Sequence, residues 1–227
     1  MRKIISILLL VIIASGITFS LLKIPFGISK TKVGNYYIKN GIEQTGATNI
    51  VTSVVVNYRG FDTLGEITVL FIAAIGLGAV LRAGRKKKSE RKIEPASLIL
   101  YTGCRFLFPL ILLFGTYIFI HGHLTPGGGF QGGAVIASAF LLIYLGCRER
   151  RINETVTKVT DSLGGLIFVV TGLIGLAVGN YFLINFLPKG IPNLLFSAGI
   201  IPIIYIAIGF KVGSELAGII DGLMEET

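Results

Sequence analysis

Tryptophan is missing from this chain of 227 residues, and cysteine, methionine and histidine occur twice each. Two cysteines without a CxxC spacing exclude a thiolate-built zinc or iron–sulfur centre. His121 and His123 are the only histidines, so no imidazole on a facing segment could complete a haem pair. No GxxxxGK[ST] loop and no GxGxxG opening a helix after a strand is present, which removes the common nucleotide sites. Covalent catalysis is not indicated, and no metal and no cofactor are expected. Charge is scarce as well: Asp, Glu, Lys and Arg together make 15% of the chain, against about 25% in ordinary soluble domains. Apolar residues take the space, at 52% with a mean hydropathy of +0.79.

A membrane span needs about 20 apolar residues to cross roughly 30 Å of hydrocarbon. Six stretches meet or approach this length: 4–22, 64–81, 98–120, 130–147, 163–184 and 194–210. The expected fold class is therefore all-α, a polytopic membrane protein with about six transmembrane helices. The first stretch reads as an anchor, since its apolar run is roughly twice the usual h-region and Lys23-Ile24-Pro25 is a poor cleavage site. Residues 48–59 hold an apolar core too short to cross. They are expected to form a short outer re-entrant or interfacial segment before the second span, although Val54-Val55-Val56 suits a strand equally well.

The net charge of +9 is unevenly spread. Arg82, Arg85, Lys86, Lys87, Lys88, Arg91 and Lys92 follow the second span, Arg148, Arg150 and Arg151 follow the fourth, and Arg2 and Lys3 precede the first. If every span crosses once, these clusters share one side. The other side holds Lys23, Lys30, Lys32, Lys39 and Arg59 in one long segment and Lys189 in the last loop. Such bias predicts that both termini face the cytoplasm, in a cell membrane. The basic charge then sets topology, with lipid contact as a by-product and no nucleic-acid partner. Pro95 after the basic run suggests the domain division: a two-span module at 1–81, a basic cytoplasmic linker at 82–95, a four-span domain at 96–220 and a short acidic tail at 221–227.

A few polar residues inside or beside these spans carry the chemical interest. Asp62 or Thr63 can cap the second span, and Glu66 follows in its first turn or two. One reading of Glu66 is an acidic helix start near the headgroups. The other is a carboxylate at membrane depth, facing a hydrated path where it takes up and releases protons. Arg105 lies about two turns into the third span, where it either snorkels to the headgroups or, with Pro109 freeing a carbonyl nearby, takes a packed role. Lys211 and Glu215, four apart, read as a helix end reaching the cytoplasm, with a proton path as the alternative. Pro202 is expected to kink the sixth span. Gly172, Gly175 and Gly179 line one face of the fifth, as close helix packing requires. Cys104 and Cys147, near the cytoplasmic ends of their spans, read as packing residues with no disulfide expected.

Between the third and fourth spans runs HGHLTPGGGFQGG, residues 121–133. Its glycines free the backbone for a close approach or a sharp reversal. The loop reads as a shaped reversal that recognises a partner subunit, with His121 and His123 as the alternative proton relay.

These strings carry a resemblance. Arg105 to Pro109, the HGHLTPGGGFQGG loop, residues 185–190 and residues 209–213 together resemble the MnhB domain, the B subunit of Mrp-type cation/proton antiporters. The likeness covers roughly residues 96–218. Residues 49–78, with RGFDTLGEI at 59–67, are similar to the C-terminal end of the Mrp A subunit and to MbhE, a small subunit of membrane-bound hydrogenases. The resemblance implies a non-catalytic membrane subunit of a cation/proton antiporter module, Mrp-type or within a hydrogenase-like respiratory complex. Implied partners are the other membrane subunits, lipids, protons and Na+. The ion-path candidates are Glu66, Asp62, Arg105, His121, His123, Lys211 and Glu215, with the family likeness bearing most on Glu66. The alternative is a purely structural scaffold or lipid seal with no ion path of its own.

Overall fold

The computed structural model describes residues 2–23, 31–84, 96–147 and 153–226. The basic residues 85–92, Pro95, Arg148, Arg150 and Arg151, along with Lys30 and Thr227, lie outside the described residues. Among the described residues the chain is helical without strands: α1 (Arg2–Leu22), α2 (Lys32–Thr45), α3 (Ile50–Thr52), a π-helical turn (Ser53–Tyr58), α4 (Gly60–Gly84), α5 (Leu98–Ile120), α6 (Gly129–Gly146), α7 (Glu154–Gly179) and α8 (Ile201–Glu226). Six of the described helices are long and apolar enough to cross a membrane. The chain is thus an all-α, multi-pass membrane protein.

It divides into two compact units, Met1–Asn35 and Tyr36–Thr227. The first contains α1, an apolar helix whose Ser15 and Thr18 hydroxyls bond back to the Ile12 and Ala14 carbonyls, both at 2.8 Å. Those bonds hide the two hydroxyls from lipid.

In the second unit α8 is the hub, packed against α4, α5, α6 and α7. Glycine permits the closest crossings. A Cβ on Gly133 of α6 would lie 2.9 Å from the Gly209 carbonyl oxygen of α8, and one on Gly132 would lie 2.7 Å from that of Gly115 on α5. In lipid, where apolar burial between helices gains nothing, such backbone proximity is a main source of helix association. Ile201, Ile204, Ile208 and Val212 of α8 form the core with Phe168, Leu183 and Val56.

Two span boundaries differ from expectation. The fifth span, α7, runs from Glu154 to Gly179, not over 163–184. Asn180 ends it in the left-handed region at φ 64°, and the chain doubles back. Gly172, Gly175 and Gly179 leave the space for Phe182, Leu183 and Ile184 to lie against the helix they have just left. The small-residue face is therefore filled by this chain itself. The sixth span, α8, begins only at Ile201 and continues to Glu226, because residues 194–200 form turns with Ala198 and Gly199 at positive φ. Pro202 falls in its first turn, where a missing N–H leaves no bond unmade, so it starts the helix and does not kink it. Within 48–59, residues 50–58 are helical, and the strand alternative is not adopted.

Candidate ion sites and the clamp that holds the bundle

The loop side of the bundle is built from three segments of chain. The reversal between α5 and α6 is shorter than the glycine string suggests: it occupies residues 121–128, and residues 129–133 already belong to α6. Asn49 and Thr52 reach into it. Asn49 Nδ2 donates to the Gly122 and Thr125 carbonyls, both at 2.9 Å, while its Oδ1 caps α3 by accepting from Val51 N at 3.1 Å. Thr52 Oγ1 donates to the Gly122 carbonyl at 2.7 Å and accepts from Tyr205 Oη of α8 at 2.8 Å. A Cβ on Gly122 would sit 2.7 Å from the Tyr205 ring, so that approach needs glycine. On the other flank Asn185 Nδ2 bonds the Thr45 carbonyl at 3.2 Å, and Lys189 Nζ bonds the Glu43 carbonyl at 3.1 Å. Within this chain the His–Gly loop is held by Asn49 and Thr52.

The two histidines part company within that loop. His121 stacks on Tyr117 with centroids 4.1 Å apart, and its Nδ1 bonds the Tyr117 carbonyl at 3.1 Å. His123 is fully buried, and neither ring nitrogen makes a hydrogen bond, although the Leu194 and Leu195 backbone lies alongside. Burial holds the His123 imidazole below its ordinary pKa, offset in part by that backbone. Facing different neighbours, they do not form a ligand pair.

Asp62 and Thr63 lie inside the first turn of α4, not at its cap. Asp62 forms an exposed ion pair with Arg59, and Thr63 Oγ1 donates to the Val55 carbonyl at 2.5 Å. Glu66 is six residues into α4, about 9 Å from its end at 1.5 Å per residue. It is exposed on the outer flank of the helix and has no polar partner among the described residues. Arg105 is also exposed, donating to Tyr101 Oη at 3.2 Å and lying over that ring.

Lys211 and Glu215 are the largest departure from expectation. They sit in the middle of α8, not at a helix end, and are only 5% and 7% exposed. Lys211 Nζ donates to Asp161 Oδ1 of α7 at 2.6 Å and approaches Glu215 Oε2 at 3.3 Å. Phe71 of α4 presents its ring 5.1 Å from the same ammonium. Gly164 of α7 makes this possible, since a Cβ there would stand 2.9 Å from Lys211 Cβ and 2.6 Å from the Ala207 carbonyl oxygen. Asp161 was not singled out from the sequence. The available signal was an acid in the first half of an apolar helix, three residues before the Gly164–Gly165 pair. Cys104 and Cys147 are likewise closer than expected, with their sulfurs 3.3 Å apart. No cluster of three or more His, Cys, Asp or Glu suited to a metal occurs among the described residues.

Residues 99–218 match the family model described as a domain related to the MnhB subunit of Na+/H+ antiporter. The chain belongs to the MnhB family. Residues 1–96 match a second model, MbhE, the E subunit of the complex MBH. A protein of Methanocaldococcus jannaschii is 30% identical, the alignment covering 92% of this chain and 85% of that one. The B subunit of the Na+/H+ antiporter of Alkalihalophilus pseudofirmus is 39% identical over 42% of this chain and 69% of its own. Among solved structures, a chain of the membrane-bound sulfane sulfur reductase, an archaeal respiratory membrane complex, is 50% identical with a TM-score of 0.78, and 98% of each chain is covered. A chain of the Mrp complex from Dietzia is 27% identical with a TM-score of 0.72, and the likeness takes in 26% of that longer chain. The fused arrangement thus has a full-length counterpart in a respiratory complex. These relatives place the chain with the subunits of antiporter modules and of membrane-bound respiratory complexes.

Proposed function

We propose that this chain is the membrane subunit through which a cation/proton antiporter module is completed, within an Mrp-like or redox-driven respiratory complex, and that Glu66 lies on its ion path. The carrying observation is the position of Glu66: a carboxylate about 9 Å along an apolar helix, exposed, with no counter-charge among the described residues. A charge facing lipid at that depth costs several kcal/mol. A partner subunit or a water-filled interface removes that cost. Val69, Ile72 and Ile75 are exposed on the same helix, as a docking surface for another membrane subunit requires. Protons and Na+ are the expected ions. The basic segments face the cytoplasm in this reading, and the stretch at 82–95 divides the two-span module from the four-span domain.

A photo-crosslinking residue at Val69 tests the partner claim. The expected product joins this chain to a second membrane subunit, identified by mass spectrometry. Lipid adducts alone, from a complex that retains its other subunits, would refute it. The competing reading is a scaffold, which the polar clamp around Asn49 also serves. In that case Glu66→Gln leaves exchange unchanged.

A further inference from the structure

The charges packed between α7 and α8 do not balance, with Lys211 and Glu215 buried and Asp161 partly exposed. Lys211 brings one ammonium, while Asp161 and Glu215 bring two carboxyl groups. Lys211 Nζ is committed to Asp161 Oδ1 at 2.6 Å and stands farther from Glu215 Oε2, at 3.3 Å. Both Glu215 oxygens are sealed from solvent and accept no hydrogen bond. The charged groups acting on Glu215 are Lys211 and Asp161. From the other helices packed on α8, α4 offers the Phe71 ring, α6 offers Gly133 and Ile136, and α5 offers Phe119. None of these is charged. Asp221 stands six residues farther along α8. A second full negative charge at this place is strongly disfavoured in a low-dielectric bundle.

We propose that Glu215, with Lys211 and Asp161, forms a proton-binding site inside the membrane. The Lys211 ammonium stays with Asp161, and the Glu215 carboxyl holds one exchangeable proton. When that proton leaves, one O–H bond breaks, the carboxylate keeps the electron pair, and Lys211 divides its charge between the two acids. The i, i+4 spacing on α8 keeps Glu215 within reach of Lys211 in both states. Gly165 leaves room for the stem to adjust, since a Cβ there would touch Lys211 Cδ and Cε only at 3.7 and 3.8 Å. A proton fits better than a metal cation because the ammonium already fills the gap between the carboxyls. The inference rests on the ion-translocating reading above and adds a second titrating position to it, on α8.

Dicyclohexylcarbodiimide tests it in the intact complex in native membranes. This lipophilic reagent adds across a protonated carboxyl to give a stable N-acylurea, which peptide mass spectrometry locates. Labelling at Glu215 is expected near neutral pH and is lost in alkali. Asp161→Asn should free Lys211 to pair with Glu215 and reduce labelling about tenfold or more, since an opposite charge within about 4–6 Å shifts a carboxyl by one unit or more. Lys211→Met should extend labelling to higher pH. Glu215 unlabelled at every pH, while another intramembrane carboxyl in the complex reacts, would overturn the proposal. So would labelling indifferent to Asp161→Asn. Protection by Na+ at constant pH would also overturn it, since it would make the site a metal-ion site. If Glu66→Gln abolishes exchange while Glu215 stays unlabelled, this inference fails and the proposed function stands. If Glu215 is labelled and Glu66→Gln exchanges normally, the Glu66 path fails and the proton site stands.

Discussion

Asn49 joins two halves of the chain, and removing its amide should show how much of the bundle depends on that joint. Asn49→Ala deletes the α3 cap, worth about 1 kcal/mol, and two side-chain hydrogen bonds to the Gly122 and Thr125 carbonyls, worth about 1 kcal/mol each. The sum, about 3 kcal/mol, corresponds to a fall in Tm of roughly 6–12 °C for a chain of this size. Cys104 and Cys147 are buried and make a convenient reporter, because a maleimide dye that fluoresces on capturing a thiol reads their exposure during heating. Asn49→Asp separates the two roles. It keeps an oxygen for the cap but sets a carboxylate against two carbonyls, so it should be at least as damaging as alanine. A Tm within about 1 °C of wild type for both variants would refute the clamp, since it would equate three lost bonds with no measurable stability.

Several further outcomes follow from the packing. Because burial depresses the pKa of His123, the unfolded chain binds more protons than the folded one between the two values. Stability is therefore full above the unfolded pKa of about 6.5 and falls as pH drops through it, and His123→Leu should abolish that slope in Tm measured from about pH 7.5 to about pH 5. Gly164→Ala forces a methyl to within 2.6 Å of the Ala207 carbonyl oxygen and should cost about 1–3 kcal/mol in the same melting assay, whereas Gly165→Ala makes only ordinary contacts and should be near neutral. Diamide, accepting two electrons and two protons, should link Cys104 to Cys147 within one chain. Intact mass lower by two hydrogens and loss of maleimide labelling would record it; unchanged labelling would show that the thiols cannot meet.

The legible parts of this fold were those set by composition along a single helix. Apolar runs of membrane length located the six spans, and the shortness of the apolar core within 48–59 kept it from being counted as a seventh. Helix ends at 179 and 201 were not legible, because they depend on left-handed residues such as Asn180 and Ala198 and on a returning segment that only Gly172 and Gly175 make room for. Glu66 could be singled out because one acid in an apolar run is conspicuous. Asp161 offered a similar local signal, but its role arises from Lys211, fifty residues away and on a different helix. The His–Gly loop was conspicuous for its composition, yet its contact is with Asn49 and Thr52, whose hydrogen bonds leave no local pattern.

Whether Glu66 carries ions or merely starts a helix is decided by cation-driven proton movement in membrane vesicles holding the assembled complex. Wild type, Glu66→Gln and Glu66→Asp are compared, with rates normalised to the amount of complex recovered. An ion-carrying Glu66 predicts that Glu66→Gln assembles normally and loses exchange, while Glu66→Asp, which keeps the charge, retains part of it. Wild-type exchange by Glu66→Gln in fully assembled complex would contradict it.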